Sequence, residues 1–531
     1  MYYFLNIKIE ISNGKKMEFK LLENSQNNQE ILIIFTYLDL KKDKGESKIP
    51  FSRQFNSGKS DDFLSKIRDD GEISGSKGEQ VLLHTMMIDD FKYKSDHLKN
   101  ELNPKRILFY GLGSREKVST DDVREACALI SRRIKTLKIQ EVSIILETIK
   151  NINNNEAARS VVEGFLLGSY KFDEFKSSNK KKKSHIEVVD MIVDEFEDEV
   201  KNSVDSAVIS CEASLNARDL VNRPPNVVNP EYLKDYSENI ANSNENLSIE
   251  VLDKKELEKL QMRAFLGVAQ GSKADPYGII LNYIGDSGNP SNNIWLIGKG
   301  ITFDSGGLSL KPSMSMVDMK SDMSGGAAVI AAMDAIGKLK PKINVTGLCL
   351  ATENMPGGGA QRVGDIVTSM NGKTIEIENT DAEGRLTLAD AVEFANQRGA
   401  AKIIDVATLT GAMVISLGHG LIGAFGNDND LVETLISAGE KTGEKIWHMP
   451  LDETSKKQNR SKVADIKNTG GRAAGSVTAA HFIGEFVGDT PWVHLDIAGT
   501  AMSASNKGWI SQGATGYPCR TLIETVFKLS Y

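Results

Sequence analysis

The sequence predicts a two-domain α/β protein: a smaller N-terminal α/β domain joined by a helix to a larger C-terminal α/β domain with a mainly parallel, helix-covered sheet. Three observations predict this. The chain has 531 residues, more than one hydrophobic core usually supports. A helical run with apolar positions from about Val204 to Leu220 is followed by Pro224, Pro225 and Pro230, which read as its end and as a stiff lead-in to a second domain. Beyond that point, short β-rich runs alternate with helical ones, the pattern of a sheet whose two faces are covered by helices. The expected divisions are residues 1–202 for the first domain, 203–225 for the connecting helix and linker, and 226–531 for the second domain.

In the first domain, RILFYGLGS (106–114) reads as a buried strand ending in glycines. Ser119 or Thr120 caps the helix TDDVREACALISRRIKTL, and VSIILE is the next strand. Gly111 and Gly113 supply only GxG, too little of a dinucleotide fingerprint, so they read as a tight turn. SGKSDD, NINNNEAA and the tract SSNKKKKSH (177–185) read as floppy, solvated connections. In the second domain GIILNYIG, NIWLIGKG, INVTGLCLAT, AKIIDVATL and WVHLDIA are the strands, and SGGAAVIAAMDAIGKL, TLADAVEFANQ, NDLVETLISAGEK and SVTAAHFIGEFV the helices. The apolar run from Ile403 to Gly426 holds Asp405, His419 and five glycines, and reads as buried strand, loop and turn instead of a membrane segment.

Composition excludes several classes. The formal charge of −8 disfavours tight non-specific binding to nucleic acid or to an anionic membrane. Cys127, Cys211, Cys349 and Cys519 are far apart and form no CxxC, so neither a disulfide framework nor a thiolate zinc site is expected. The N-terminal stretch MYYFLNIKIEISNGKK lacks the pattern of a secretory signal, and a reducing, cytoplasmic compartment is the expectation. None of the seven histidines forms HExxH or an i,i+4 pair, and GxSxG does not occur. The GKT at Gly372–Thr374 lacks the upstream glycine of a phosphate loop, since Val367 stands there.

What remains is a set of charges in glycine-rich loops. Lys299 follows NIWLIG, Asp304 comes five residues later and Lys311 seven further; Asp322 stands just ahead of a helix; Asp381 and Glu383 follow the predicted strand TIEIEN. In α/β sheets, ligands sit outside the carboxyl ends of the strands. Charges placed there either pair with one another in a structural network or bind metal. Four carboxylates around one cleft would repel one another unless about two divalent cations neutralised them. Lys299 would join such a set only as a neutral amine. Asp390 and Glu393, on the helix after residue 386, read as a solvated face.

NTDAEGRLTLADA (379–391), GKGITFDSGGLSLKP, KSDMSGGAA, NARDLVNRPPNVVNPEYL and KNTGGRAAGSVTAAHF together closely resemble the M17 leucyl aminopeptidase family, from about Asn216 to the C-terminus. The N-terminal part matches only loosely, in GLG and VVEGFLLGSYKFDEFKS. The resemblance implies two divalent ions, zinc or manganese with cobalt or magnesium also admissible. The tighter would be held by Lys299, Asp304, Asp322 and Glu383, and the more exchangeable by Asp304, Asp381 and Glu383, with the Asp381 backbone carbonyl as a further ligand. Asp304 and Glu383 would bridge a pair that shares a hydroxide nucleophile. Lys311 would stabilise the oxyanion, and Arg385 would hold bicarbonate as general base. Because the α-amine of the substrate would ligate the tighter metal, only the first residue is removed. Met319, Thr408, Leu409, Gly411, Ala498 and Met502 would form an apolar pocket for leucine-like side chains. The resemblance also implies peptide substrates and a homohexamer. A DNA-binding regulator and a silent structural relative are the competing classes; the acidic balance opposes the first, and the intact site residues oppose the second.

From the residues themselves, the single alanine between Asp381 and Glu383 lets both side chains point to the same side of an extended segment. Gly384 is read as conformational freedom and Arg385 as a permanent cation for a small anion.

Overall fold

The fold is taken from a computed structural model that describes residues 5–11, 15–23, 29–38, 70–87, 102–177, 185–193 and 197–530. SGKSDD and most of the lysine tract lie outside the described residues. The chain divides into two compact units, Met1–Glu212 with Asn506–Ser511, and Ala213–Ser505 with Gln512–Tyr531. The helix Asp198–Asn222 carries the chain from one into the other.

In the first unit the described strands β1 (Leu5–Ile11), β2 (Lys15–Leu22), β3 (Leu32–Leu38), β4 (Gln80–His84), β5 (Arg106–Ser114), β6 (Glu141–Ile145) and β7 (Val188–Ile192) form one sheet in the order β1-β2-β7-β6-β3-β5-β4. Its inner pairs are parallel, and the pairs β1–β2 and β4–β5 at the edges are antiparallel. Ser119 caps the helix Thr120–Thr136 through a capping box with Asp122. NINNNEAA is not a floppy connection: Asn153 accepts the Glu156 backbone N–H and starts the helix Asn154–Ser169. Asparagine is both a loop former and a good N-cap, and only the following apolar stripe distinguishes the two roles.

The second unit is built on β8 (Leu247–Leu252), β9 (Tyr277–Ile284), β10 (Asn293–Asp304), β11 (Asn344–Asn354), β14 (Lys402–Ala407), β15 (Ile422–Gly426), β16 (Ile446–His448) and β18 (Trp492–Asp496), in the order β16-β15-β18-β14-β10-β11-β9-β8. The central strands β11, β10, β14 and β18 are parallel. On one side β9 and β8 run antiparallel, and on the other β15 is antiparallel to β18, so the sheet is mixed. The loop 285–292 between β9 and β10 is too short for a parallel crossover, which dictates the reversal of GIILNYIG. TIEIEN also departs from expectation: β13 (Thr374–Glu376) pairs with β12 (Ile366–Thr368) and β17 (Ile466–Lys467) in a separate small sheet. The run Ile403–Gly426 is a buried strand, a loop, the short helix Gly411–Leu417 and a second strand. Among the described residues no helix is long and apolar enough to cross a membrane.

Pro230 does not end the connecting helix. It is the first residue of the next one, Pro230–Ser243, capped by Asn229, where a missing N–H costs nothing. The core beneath the sheet gathers Trp295, Ile297, Leu348, Leu388, Val392, Phe394 and Phe482. Helix Ser324–Leu339 packs tightly on the sheet because its first turn is small: a Cβ on Gly325 would fall 2.0 Å from the Val406 carbonyl oxygen. That close approach brings the turn ahead of the helix, with Asp322, against Lys299 on β10.

Candidate active site

The predicted charges converge on one cavity of about 420 Å³, lined by Lys299, Asp304, Lys311, Asp322, Asp381, Glu383 and Arg385. Lys299 and Asp304 come from β10, Asp322 from the turn Met319–Met323, and Arg385 from the first turn of helix Gly384–Gln397. Lys299 Nζ lies 2.7 Å from Asp322 Oδ2 and 2.8 Å from Glu383 Oε1. Lys311 Nζ lies 2.8 Å from Asp304 Oδ2 and 2.5 Å from Asp381 Oδ1. The pairing network left open by the sequence is therefore real. It does not exhaust the site, because two ammonium groups face four carboxylates, and the oxygens of Asp322, Asp381 and Glu383 that they contact have no further hydrogen-bond partner among the described residues.

Electrostatics shows a shortage of positive charge. Burial and the neighbouring Glu383 push Asp304 up to about 6, against the pull of Lys311 and Lys299. Burial likewise raises Asp322 and Asp381. Glu383 is buried too, yet Lys299 and Lys311 hold it below its ordinary range. Lys299 is buried and Lys311 half-buried, and the carboxylates nonetheless hold both charged. Lys299 is thus an ammonium here, and joining a metal would require it to exchange its proton for the cation. Carboxylate oxygens of Asp304, Asp381 and Glu383 all lie within 4.8 Å of one another. An oxygen-rich cluster with more carboxylates than ammonium groups and one adjacent amine fits divalent cations.

Asp381 and Glu383 converge by a route the sequence reading missed. The segment is a turn, closed by Ala382 N donating to Asn379 O, and Glu383 has helical dihedrals. Gly384 is a helical residue with no unusual φ. Its role is space, since a Cβ there would sit 2.6 Å from Lys299 Nζ. Asp390 is fully buried and accepts the Phe265 and Met370 backbone N–H groups, so it is no solvated face. A helix-surface pattern misleads wherever a second element packs over that surface. Glu393 stays part-exposed and accepts from Gln397.

Other residues hold the site together without any motif announcing them. Asn354, at the end of β11, donates through Nδ2 to Asp304 Oδ1 at 2.8 Å and to the Thr380 carbonyl at 3.0 Å. Thr408 donates to Asp322 Oδ1, and its carbonyl accepts from Lys299 Nζ. Arg385 is buried and its Nε has no partner; burial pulls its guanidinium down to about 10, while Glu383 and Asp496 favour its charge. It remains a cation at neutral pH. Met319, Thr408, Leu409, Gly411, Ala498 and Met502 all line the same cavity, together with Ala412, Val414 and Ala501, which the sequence reading did not nominate.

Residues 215–523 match the catalytic domain of the cytosol aminopeptidase family, Peptidase M17, and residues 33–179 match its N-terminal domain. The chain belongs to this family. A probable cytosol aminopeptidase of Treponema denticola is 40% identical over 481 residues, covering 90% of this chain and 99% of the relative. One from Alkaliphilus oremlandii is 39% identical over 469 residues, covering 88% and 91%. A solved tomato leucine aminopeptidase variant is 32% identical with a TM-score of 0.82, covering 99% of each chain. A bottromycin maturation enzyme in complex with manganese is 31% identical with a TM-score of 0.79, covering 94% of this chain and 100% of that one. This cytosol aminopeptidase family member is accordingly a peptidase, a hydrolase with an aminopeptidase's fold of two α/β domains.

Proposed function

We propose that this aminopeptidase releases leucine-like N-terminal residues from peptides with the help of two divalent cations. The reading rests on one observation: four carboxylates meet only two lysines in a single cavity, and carboxylate oxygens of Asp304, Asp381 and Glu383 lie within 4.8 Å of one another. Lys299, Asp304, Asp322 and Glu383 would hold one cation, and Asp304, Asp381 and Glu383 the other. When bound, the pair would supply the positive charge that acidifies a water and polarises the scissile carbonyl. Zinc and manganese are the proposed ions, with cobalt and magnesium as alternatives; the manganese complex of a relative supports manganese.

The chain's own groups do the rest. Lys311 reaches Asp304 and Asp381 with its charge intact, so its ammonium is available to donate to the carbonyl oxygen as negative charge develops there. Arg385, a buried cation with an unpartnered donor, would hold bicarbonate as the general base. The apolar wall of Met319, Ala412, Val414, Ala498, Ala501 and Met502 would take the first side chain, and methionines adapt to leucine-like and methionine-like shapes. A homohexamer and a cytoplasmic location complete the proposal, supported by family membership; a mass measurement in solution tests the first. The activity test is hydrolysis of a leucine amide-type fluorogenic substrate after chelation and after adding back each ion singly. Activity that vanishes and returns with metal is expected. Activity indifferent to exhaustive chelation would sink the metal assignment.

A further inference from the structure

A fifth acidic residue lies behind the cavity wall. Asp496, the last residue of β18, is 1% exposed and, among the described residues, forms no salt bridge, although its charge favours that of Arg385. Three donors meet its carboxylate instead: Thr410 Oγ1 to Oδ2 at 2.7 Å, Ala498 N to Oδ1 at 3.1 Å and Leu409 N to Oδ1 at 3.3 Å. Burying a carboxylate is costly, and hydrogen bonds of this kind offset the cost only when all are made.

The position explains what these bonds do. Ala407 and Asp496 are the last paired residues of β14 and β18, and Ile497 N still donates to Ala407 O. Beyond this point the strands part, and each continues as an irregular segment that lines the cavity, Thr408–Gly411 from one and Ala498–Met502 from the other. Asp496 sits at the fork and grips both branches. Thr410 passes the constraint on: its hydroxyl donates to Asp496 and accepts Met413 N, capping helix Gly411–Leu417, which contributes Gly411, Ala412 and Val414 to the wall. The other end of the same loop is tied down by Thr408 to Asp322 and Lys299.

We propose that Asp496 is a positioning residue for substrate specificity, fixing the separation of the two wall segments and so the width of the pocket for a branched apolar N-terminal side chain. It acts through Leu409, Thr410 and Ala498 without lining the cavity itself. The inference rests on the proposed use of this wall as the first-residue pocket, and it adds the residue that sets the pocket's dimensions.

The test compares kcat/KM for leucine, alanine and glycine amide-type fluorogenic substrates in the full-length, metal-loaded enzyme and in Asp496→Ala, Asp496→Asn, Thr410→Val and Thr410→Ser. A fitted hydrophobic pocket discriminates by roughly 10-fold or more per missing group. Asp496→Ala and Thr410→Val are therefore expected to lower the leucine-to-alanine ratio by about 10-fold, mainly through the KM for leucine. Thr410→Ser keeps the hydroxyl and should restore the ratio. Asp496→Asn keeps one acceptor oxygen for the two N–H groups and can donate to the Thr410 hydroxyl, so it should retain most of it. An unchanged ratio, or an equal loss on all three substrates, overturns the inference, as does an Asp496→Asn ratio as low as that of Asp496→Ala. If Asp496→Ala does not fold, the Thr410 pair decides alone. A wild-type enzyme that cleaves the amides without preferring leucine would instead overturn the pocket assignment beneath it.

Discussion

Replacing Asn354 by alanine removes an amide that holds two parts of the proposed cation site at once. Its Nδ2 donates to Asp304 Oδ1 at 2.8 Å and to the Thr380 carbonyl at 3.0 Å, one residue before Asp381. Asp304 Oδ1 would keep one of its two hydrogen bonds, from Gly306 N at 2.9 Å. The Thr380 loop would stay anchored by its hydroxyl to Gly306 O and by Ser309. The fold should therefore survive while the carboxylates loosen. Losing a charge-assisted hydrogen bond costs roughly 1.5–3 kcal/mol, and residues that orient metal ligands are worth about 10–100-fold in metal affinity. The two ranges agree, since 100-fold is about 2.7 kcal/mol. The expected result is a manganese or zinc affinity about 10–100-fold weaker, measured by competition with a chelating indicator, with a melting temperature for the metal-free protein that falls by only a few degrees. A folded Asn354→Ala protein binding metal within twofold of wild type would rule out this positioning role for Asn354.

Glu383→Gln and Lys311→Ala should each leave a folded protein whose turnover on a leucine amide falls by about 100-fold or more, because each removes a charge at the reacting centre; near wild-type turnover in Glu383→Gln would refute its metal-holding role. Gly384→Ala places a Cβ 2.6 Å from Lys299 Nζ. A helix ordinarily gains up to about 1 kcal/mol from that change, so retained stability with lost activity is the expected split between a melting curve and a rate. Asp390→Ala strands the Phe265 and Met370 N–H groups and should cost roughly 2–4 kcal/mol in a denaturant titration. Burial pushes the Asp390 carboxyl up to about 7 from an ordinary 3.8, despite the backbone N–H groups that oppose the shift. A raised folded-state value means that the stability it contributes is complete below about 4 and is lost as pH rises through about 7, by at most roughly 4 kcal/mol. Comparing wild type with Asp390→Asn between pH 4 and 8 should show wild type alone carrying that decline, and parallel pH profiles would contradict it.

The parts of the fold whose cause is local are legible along the chain. NIWLIGKG, INVTGLCLAT, AKIIDVATL and WVHLDIA are β-rich and apolar throughout because both faces of a central parallel strand are covered, and the four lie together in the sheet. SGGAAVIAAMDAIGKL is legible as a helix for the same kind of reason, and its bounds agree with Ser324–Leu339. The charged motifs named the residues that gather in the cavity, although Lys299 and Asp304 stand within β10 itself and not in the loop after it. Tertiary structure decided whatever depends on partners distant in the chain. Asn354 finds Asp304 fifty residues away, and Asp390 meets Phe265 across 125. No period of 2 or 3.6 residues encodes such a meeting. Gly384 looks like a flexible hinge in sequence and is a space for the lysine of β10 in the fold. Asp496 is one more acidic residue at a strand end until β14 and β18 part around it. Side-chain periodicity reports which face of an element is buried; which donor waits on the other side is fixed only when the elements pack.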